Sequence, residues 1–277
     1  MKKNLKYYLK DKLAKKELEL VPSSFDVVGD IMIFSEFPKE LIKKEKLIGS
    51  IILENYHNIK TILKKTKKYS GRFRTPKLKA IAGENRKETV CRENGVLIKL
   101  DVEKVYFSPR MSSERKRIAE LVKPNESVLV MFSGSGAYSL VIAKNTKCRE
   151  VYGIEINPIA HKYALENIKK NKLENKIRLF QGDVRKILPK LNKKFDRILM
   201  PLPKGGESFL GLSLKHIKKN GVIHFYDFLR EDEFYKAEEK IRKVCLKLNK
   251  KFKILKVVKC GQYSPGFYRI CVDFGVD

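Results

Sequence analysis

Short apolar runs alternate with helical patterns in the second part of the chain, after Ser108. Helical spacing of apolar residues is clearest over 158–170 and 207–219, and apolar runs lie on either side of each. This alternation predicts a parallel, doubly wound α/β sheet. Two later runs, 252–258 and 267–274, have no predicted helix between them and indicate antiparallel strands at one edge of the sheet. The five runs predicted to form parallel strands are 128–132, 151–155, 177–180, 195–200 and 222–226.

The first part of the chain has a mixed pattern. Residues 25–34 form two apolar runs around Gly29 and Asp30, which predicts a hairpin. A helix is expected over 40–56, and strands over 61–63, 78–82 and 96–102. Residues 1–20 are lysine-rich with leucines at helical spacing, which indicates a short surface helix. We therefore expect a basic N-terminal helix or extension (1–20), an α+β domain (21–107) and an α/β domain (108–277).

The charge of the chain is strongly positive. Lys and Arg number 61 against 32 Asp and Glu, which gives a net charge of +29, while 43% hydrophobic residues are enough to build a core. The excess indicates an anionic partner, nucleic acid first and an acidic membrane surface second; the alternative that needs no partner is a general lysine bias. No run approaches the roughly 20 apolar residues of a membrane span, and no secretory signal is visible.

Cysteine and histidine positions argue against a metal centre. Five cysteines and four histidines lack the spacing of metal ligands, so we interpret the cysteines as reduced thiols and expect no metal. We further expect a cytoplasmic monomer with no membrane partner.

Polar residues at the ends of the predicted strands indicate a nucleoside site, because open α/β sheets bind ligands there. Gly134 and Gly136 follow the first strand, but the third glycine of a dinucleotide fingerprint is missing. Glu155 ends the second strand, where a carboxylate binds a ribose diol. Asp183 follows the third strand, where it accepts a hydrogen bond from adenine or caps the next helix. Together these residues predict an S-adenosylmethionine site in a class I methyltransferase (Rossmann-like) fold.

Two prolines follow the fourth strand. Pro201 and Pro203 flank Leu202. This pattern predicts a stiff loop over the cofactor, or simply a rigid turn.

Several longer motifs identify a family. They are PSSFDVVGD at 22–30, GRFRTP at 71–76, VYFSPR at 105–110, ER at 114–115, IEINP at 154–158, GVIHFY at 221–226 and YSPG at 263–266. From about residue 17 onward the chain resembles the archaeal and eukaryotic tRNA (guanine-37-N1)-methyltransferases. The aminocarboxypropyl transferases of wybutosine synthesis belong to the same superfamily. The resemblance implies an RNA-binding or substrate role for 21–107, catalysis by 108–277, S-adenosyl-L-methionine as cofactor and tRNA as partner.

The resemblance also implies roles for single residues. Glu114 matches a general base that takes the proton of guanine N1, and Arg74 matches an arginine that supports charge on O6, with Tyr106 beside them. This pairing makes chemical sense, since guanine N1 becomes a nucleophile only when its proton leaves. From the residues alone, a helix-surface charge for Glu114 and a phosphate contact for Arg74 are the favoured interpretations. The implied cofactor-binding residues are Arg110, Phe132, Gly134, Gly136, Glu155, Asp183, Pro201 and Pro203.

The chain departs from the family pattern at three places. Pro201 stands where the methyltransferases carry an asparagine, Val130 replaces an expected acid, and Ala137-Tyr138 replaces Pro-Phe. A proline offers neither an amide side chain nor a backbone N–H. Three hypotheses follow: methylation of guanine N1 at position 37, transfer of the 3-amino-3-carboxypropyl group, and tRNA binding without catalysis. The family's N-terminal domain that touches the tRNA elbow is not expected here, since 1–20 is too short for it.

Overall fold

A computed structural model describes residues 4–277, except for the side chains of residues 68–70. The chain forms two compact units. Unit 1 comprises Met1–Arg92 and Ile98–Pro109, and unit 2 comprises Glu93–Leu97 and Arg110–Asp277. Among the described residues, no helix has both the length and the apolar character needed to cross a membrane.

A four-stranded sheet, in the order β1-β2-β3-β4, organises unit 1. Strands β2 and β3 are parallel, and the other two pairs are antiparallel. The pairing of β1 with β2 confirms the predicted hairpin, whose turn requires Gly29 because φ there is +57°. The elements are α1 (Leu5–Leu9), α2 (Lys15–Leu20), β1 (Asp26–Val28), β2 (Ile31–Phe34), α3 (Glu45–Asn55), β3 (Thr61–Ser70) and β4 (Thr75–Gly83).

The N-terminal segment is not the surface helix that the leucine spacing predicted. It forms two short helices, and Leu5, Leu9 and Leu13 are buried in one cluster with Ile48 and Ile52 of α3. The leucine spacing correctly predicted helical structure. The predicted exposure was wrong, because these side chains are part of a hydrophobic core.

A two-stranded hairpin of β5 (Glu88–Glu93) and β6 (Val96–Asp101) contributes to both units. Its tip, residues 93–97, belongs to unit 2, where the Asn171 amide accepts a hydrogen bond from Leu97 N (2.9 Å) and donates one to Leu97 O (2.7 Å). The sequence did not reveal β5, because Thr89 and Glu93 are polar residues on its buried face.

Unit 2 is built on a seven-stranded sheet, in the order β9-β8-β7-β10-β11-β13-β12. The first five strands are parallel, and β13 pairs antiparallel with both β11 and β12, which confirms the predicted sheet and its antiparallel edge. The strands are β7 (Ser127–Val130), β8 (Glu150–Glu155), β9 (Ile177–Gln181), β10 (Phe195–Met200), β11 (Ile217–Arg230), β12 (Phe252–Ser264) and β13 (Phe267–Val276). The helices are α4 (Ser112–Leu121), α5 (Ala137–Asn145), α6 (Pro158–Lys170), α7 (Val184–Ile187), α8 (Leu210–His216) and α9 (Tyr235–Lys247).

The chain order of the strands reverses at β7. From β7 the chain proceeds outward to β8 and β9, then crosses to β10 on the other side of β7. Ligands of doubly wound sheets bind at such a switch point, outside the carboxyl ends of the strands. The loops after β7, β8, β9 and β10 are therefore the ones that can build a site. Fully buried residues such as Ile198, Phe225 and Phe274 form the core that fixes them.

Candidate cofactor and catalytic site

The loop after β7 makes a tight glycine turn into α5. Gly134 and Gly136 have φ values of +56° and +86°, a conformation that favours glycine. Gly136 N donates to Ser133 O at 2.9 Å, and Ser133 N donates to Ile154 O at 3.0 Å, so the turn is anchored to β8. The predicted glycine loop thus has the backbone geometry that lets a ligand approach closely.

Glu155 joins the first two loops of the site. Its Oε2 accepts a hydrogen bond from Gly134 N, and its Oε1 accepts one from Asn157 N, each at 2.7 Å. Burial raises the pKa of Glu155, and the backbone N–H groups oppose that effect. The N–H group of Ile156 also acts on this carboxylate, so about one of its four acceptor positions remains for a ribose hydroxyl.

Ser133 supports the assignment of a polar ligand to this loop. Its hydroxyl is buried, and no described residue pairs with it. A Cβ at Gly153 would lie only 3.0 Å from Ser133 Cβ, so glycine is needed for the loop to pack against β8. Because buried polar atoms normally have a partner, the Ser133 hydroxyl fits a site that a polar ligand completes.

Asp183 caps the N-terminus of α7. This was one of the two roles predicted for it, the other being a hydrogen bond to adenine. Its carboxylate accepts a hydrogen bond from Arg185 N at 2.9 Å, and Gly182 N donates to Glu155 O at 2.8 Å. The cap uses part of the acceptor capacity of the carboxylate, so contact with adenine stays a prediction.

An aromatic cluster lies next to these loops, and the sequence predicted a role for only one of its members, Phe132. The Phe132 ring meets the Phe209 ring edge-on at 4.9 Å, and the Arg185 guanidinium lies 4.1 Å from the centre of the Phe209 ring. Arg185 also donates to Ser208 Oγ at 3.1 Å. Phe209 was recognisable only as an aromatic residue in the loop that follows β10.

The loop after β10 makes a tight turn at its first proline. Leu202 N donates to Met200 O at 2.7 Å, which closes a three-residue turn centred on Pro201. Pro201 and Pro203 are both half-buried, and their contact with a cofactor stays a prediction.

The residues predicted to be catalytic are distributed over both units. Arg74 lies in the turn between β3 and β4 with φ of +51°, and Tyr106 lies in the segment after β6; both belong to unit 1. Arg110 and Glu114 belong to unit 2, Arg110 in the turn that leads into α4 and Glu114 on α4 itself.

Glu114 is not a helix-surface charge, because its side chain is only 4% exposed. Its Oε1 accepts hydrogen bonds from Tyr226 Oη (2.6 Å) and Arg117 Nη2 (2.8 Å), and its Oε2 accepts one from Arg117 Nε (2.7 Å). Arg115 on the same helix is also buried and pairs with Glu93. The helix therefore buries a charged face, which hydropathy could not reveal.

A chain of buried polar groups extends from Arg117 across the sheet. Arg117 Nη1 donates to Asp273 Oδ2 at 2.6 Å, and His224 Nδ1 lies 2.6 Å from Asp273 Oδ1. On the other side of the ring, Arg197 Nη1 lies 2.7 Å from His224 Nε2, and Arg197 in turn pairs with Glu126. Because arginine can only donate, Nε2 must accept and Nδ1 must carry the proton. His224 is thus a neutral imidazole in this arrangement.

The pKa directions agree with that assignment. Burial lowers the pKa of His224, although Asp273 acts in the opposite sense. Burial alone would raise the pKa of Asp273, but His224 and Arg117 hold it well below its usual range. Burial raises the pKa of Tyr226 well above its usual value, so its hydroxyl stays protonated and remains a donor to Glu114.

Asp273, His224 and Cys271 are also spaced like metal ligands, with donor atoms within 4.8 Å of one another. Arg117 donates a hydrogen bond to Asp273, and Arg197 donates one to His224. These two guanidinium groups already place positive charge beside the possible ligands. The donor set therefore fits a hydrogen-bonded network better than a cation.

Two family models together match most of the chain. Residues 89–255 match the TRM5/TYW2 methyltransferase domain, and residues 5–86 match the TYW2 N-terminal domain.

Individual relatives cover nearly the whole chain. The tRNA (guanine(37)-N(1))-methyltransferase Trm5b of Pyrococcus abyssi is 42% identical over 92% of this chain and 76% of its own length. A tRNA(Phe) (4-demethylwyosine(37)-C(7)) aminocarboxypropyltransferase of Pyrococcus horikoshii is 30% identical over 100% of this chain and 97% of its own length.

A solved structure has the same fold. The complex of aTrm5 with tRNALeu superposes with a TM-score of 0.87 at 33% identity, covering 100% of this chain and 79% of that one. Matches of this extent to both the family models and the relatives establish a single conclusion. The chain belongs to the TRM5/TYW2 methyltransferase family.

Proposed function

We propose that this protein is an S-adenosylmethionine-dependent tRNA methyltransferase that modifies N1 of guanine at position 37. The observation that carries the proposal is Glu114, a buried carboxylate that retains acceptor capacity, in the same unit as a complete set of nucleoside-binding loops. Support comes from the relatives, since Trm5b is named for this reaction and aTrm5 was solved with a tRNA.

The cofactor is assigned to the loops after β7, β8 and β9. Gly134 and Gly136 would allow close backbone approach, Glu155 would accept the ribose hydroxyls, and Asp183 would accept a hydrogen bond from the adenine. S-adenosylmethionine, when bound, supplies an electrophilic methyl group. The buried Ser133 hydroxyl provides a further polar contact for the ligand.

The chain's own residues perform the acid–base part of the reaction. Glu114 accepts the N1 proton of guanine, and the positive charge of Arg74 stabilises the negative charge that develops on O6. The family resemblance assigns Tyr106 to the surroundings of the base, and its side chain is 39% exposed. Because a base beside the anticodon is normally stacked, it must turn out of the stack before N1 becomes accessible.

A basic hairpin in unit 1 supports an RNA partner. Residues 61–83, which form β3, β4 and their turn, contain eight basic residues and no acidic one. Lys67 lies directly opposite Lys77, and Phe73 at the tip is 42% exposed. Like charges opposite each other destabilise a strand pair, so this arrangement favours a surface that an RNA backbone neutralises.

Replacing Lys67 and Lys77 together by glutamine is expected to weaken tRNA binding about tenfold at low salt, because two phosphate contacts are lost. The slope of log affinity against log salt should become shallower by about 1.4 to 1.8, at roughly 0.7 to 0.9 per contact. Binding measured by fluorescence anisotropy across a salt series checks both values.

The matched control replaces two exposed lysines of α9, Lys243 and Lys247, by glutamine. Equal losses of affinity in the two double variants would mean that only the overall charge of the chain matters and would remove the hairpin from the RNA-binding surface.

A second candidate function is transfer of the 3-amino-3-carboxypropyl group. Pro201 stands at the position of the methyltransferase asparagine, residues 5–86 match the TYW2 N-terminal domain, and the P. horikoshii aminocarboxypropyltransferase covers the whole chain. The residues that would bind the cofactor are the same for both reactions, so the by-product distinguishes them.

The experiment that tests the proposal incubates purified protein with tRNA and S-adenosylmethionine and analyses the nucleosides by mass spectrometry. Methyl transfer yields 1-methylguanosine and S-adenosylhomocysteine. Formation of methylthioadenosine instead would establish the second candidate, and absence of both by-products would reject both enzymes.

A further inference from the structure

The carboxylate of Glu114 accepts three hydrogen bonds from Arg117 and Tyr226, which together are called the clamp. A carboxylate offers about four acceptor positions, two on each oxygen. Tyr226 Oη and Arg117 Nη2 occupy both positions on Oε1, while Arg117 Nε occupies one on Oε2. One acceptor position, on Oε2, remains for a further donor.

The clamp on Glu114 is itself fixed by groups from distant parts of the chain. Arg117 donates to Asp273 through Nη1 (2.6 Å) as well as to Glu114, so its guanidinium bridges two carboxylates. His224, fully buried, donates to Asp273 and accepts from Arg197. Rotation of Arg117 away from Glu114 would therefore disrupt hydrogen bonds on β11 and β13 as well.

The charges of the cluster do not balance. Glu114, Asp273 and Glu126 contribute three negative charges, Arg117 and Arg197 contribute two positive ones, and His224 is neutral. One negative charge is left without a counter-charge inside the cluster.

We propose that Arg117 and Tyr226 are positioning residues for Glu114, and that Asp273 and His224 hold Arg117 in place. The assembly leaves Oε2 as the oxygen that takes the guanine proton. The N1–H bond breaks, an Oε2–H bond forms, and the electron pair stays on the purine. This inference rests on the proposed function, because it specifies how the proposed general base is oriented.

Steady-state kinetics of Tyr226→Phe test the first part of the clamp. The variant keeps the ring and removes one hydrogen bond to a charged oxygen, so we expect kcat for 1-methylguanosine formation to fall about tenfold. KM values for tRNA and cofactor should stay within about twofold, because the hydroxyl of Tyr226 is assigned to Glu114 and to neither ligand. The control Tyr152→Phe removes the hydroxyl of another buried tyrosine, on β8, and is expected to leave kcat unchanged.

Arg117→Lys provides a second test that does not depend on Tyr226. Lysine keeps the positive charge but cannot form the parallel pair of hydrogen bonds to Glu114 while also reaching Asp273. We expect a loss in kcat, whereas Arg115→Lys, which alters the other buried arginine pair of α4, leaves kcat near the wild-type value.

The outcomes distinguish the positioning proposal from the proposed function. Wild-type protein that forms 1-methylguanosine, with Tyr226→Phe and Arg117→Lys no slower than their controls, would overturn the positioning proposal and leave the proposed function intact. Losses confined to KM would overturn it as well. Absence of 1-methylguanosine from the wild-type reaction would overturn the proposed function, and the positioning proposal with it.

Discussion

Replacing Glu114 by glutamine is expected to lower kcat for 1-methylguanosine formation by about 10²- to 10⁴-fold, the usual contribution of a general base. Glutamine has nearly the same shape but cannot take the N1 proton. It also presents an NH₂ group to Arg117 or Tyr226, both of which donate to Glu114 in the native protein. Affinity for tRNA and cofactor should change little, because Glu114 meets the tRNA only at guanine N1 and no part of the cofactor is assigned to it. Single-turnover rates together with equilibrium binding check the prediction.

The effect of Glu114→Gln on catalysis must be distinguished from its effect on stability, because breaking a buried ion pair costs about 3–5 kcal/mol of folding free energy. Glu93→Gln is the matched control, because Glu93 forms the other buried arginine pair of α4 and its side chain is similarly buried, 6% exposed against 4%. Comparable thermal stability with near-normal kcat in Glu93→Gln would assign the rate loss of Glu114→Gln to the base. Full activity of Glu114→Gln would remove Glu114 from the mechanism.

Replacing Glu155 by glutamine is expected to weaken S-adenosylmethionine binding about 100-fold. Glu155 accepts hydrogen bonds from the backbone of both Gly134 and Asn157, and an amide can serve only one of them as an acceptor. One N–H group is then left facing another donor, at a cost of about 1–3 kcal/mol, and one acceptor position for the ribose diol is lost as well. Isothermal titration calorimetry with the cofactor measures the change directly.

Glu150→Gln serves as the control for this effect. Glu150 begins the same strand that Glu155 ends, and it pairs with Lys193 rather than with the site loops. We expect unchanged cofactor affinity in this variant. If Glu155→Gln bound the cofactor as tightly as Glu150→Gln does, the assignment of the ribose to the end of β8 would be wrong.

The sheet of unit 2 could be predicted from the sequence because its strands are continuous apolar runs with helical patterns between them. Glycine spacing then located the loop after β7, and position along the chain located Glu155. These features depend on residues close together in sequence, which is why periodicity revealed them.

The clamp on Glu114 could not be predicted in this way. Arg117 and Asp273 are 156 residues apart, and Tyr226 lies 112 residues beyond Glu114. The resemblance to the family placed Glu114 in the site, but it did not show that the carboxylate is buried in a network of charges. Such networks follow from the fold as a whole, because each buried charge is tolerated only where its partner arrives from another strand or helix.

Polar residues on buried faces explain the other differences between prediction and structure. Strand β5 has Thr89 and Glu93 on its inner face, and α4 buries Glu114 and Arg115. Hydropathy treats all of these as exposed positions. Conversely, the leucines of residues 5–13 looked like one face of a surface helix, although they complete the core of unit 1.

The most direct test of the proposed reaction is mass spectrometry of tRNA nucleosides and cofactor by-products from a single reaction with the wild-type protein. The proposed function predicts 1-methylguanosine at position 37 and an equal amount of S-adenosylhomocysteine. Methylthioadenosine with no 1-methylguanosine would contradict methyl transfer, and would show that the same cofactor loops serve aminocarboxypropyl transfer.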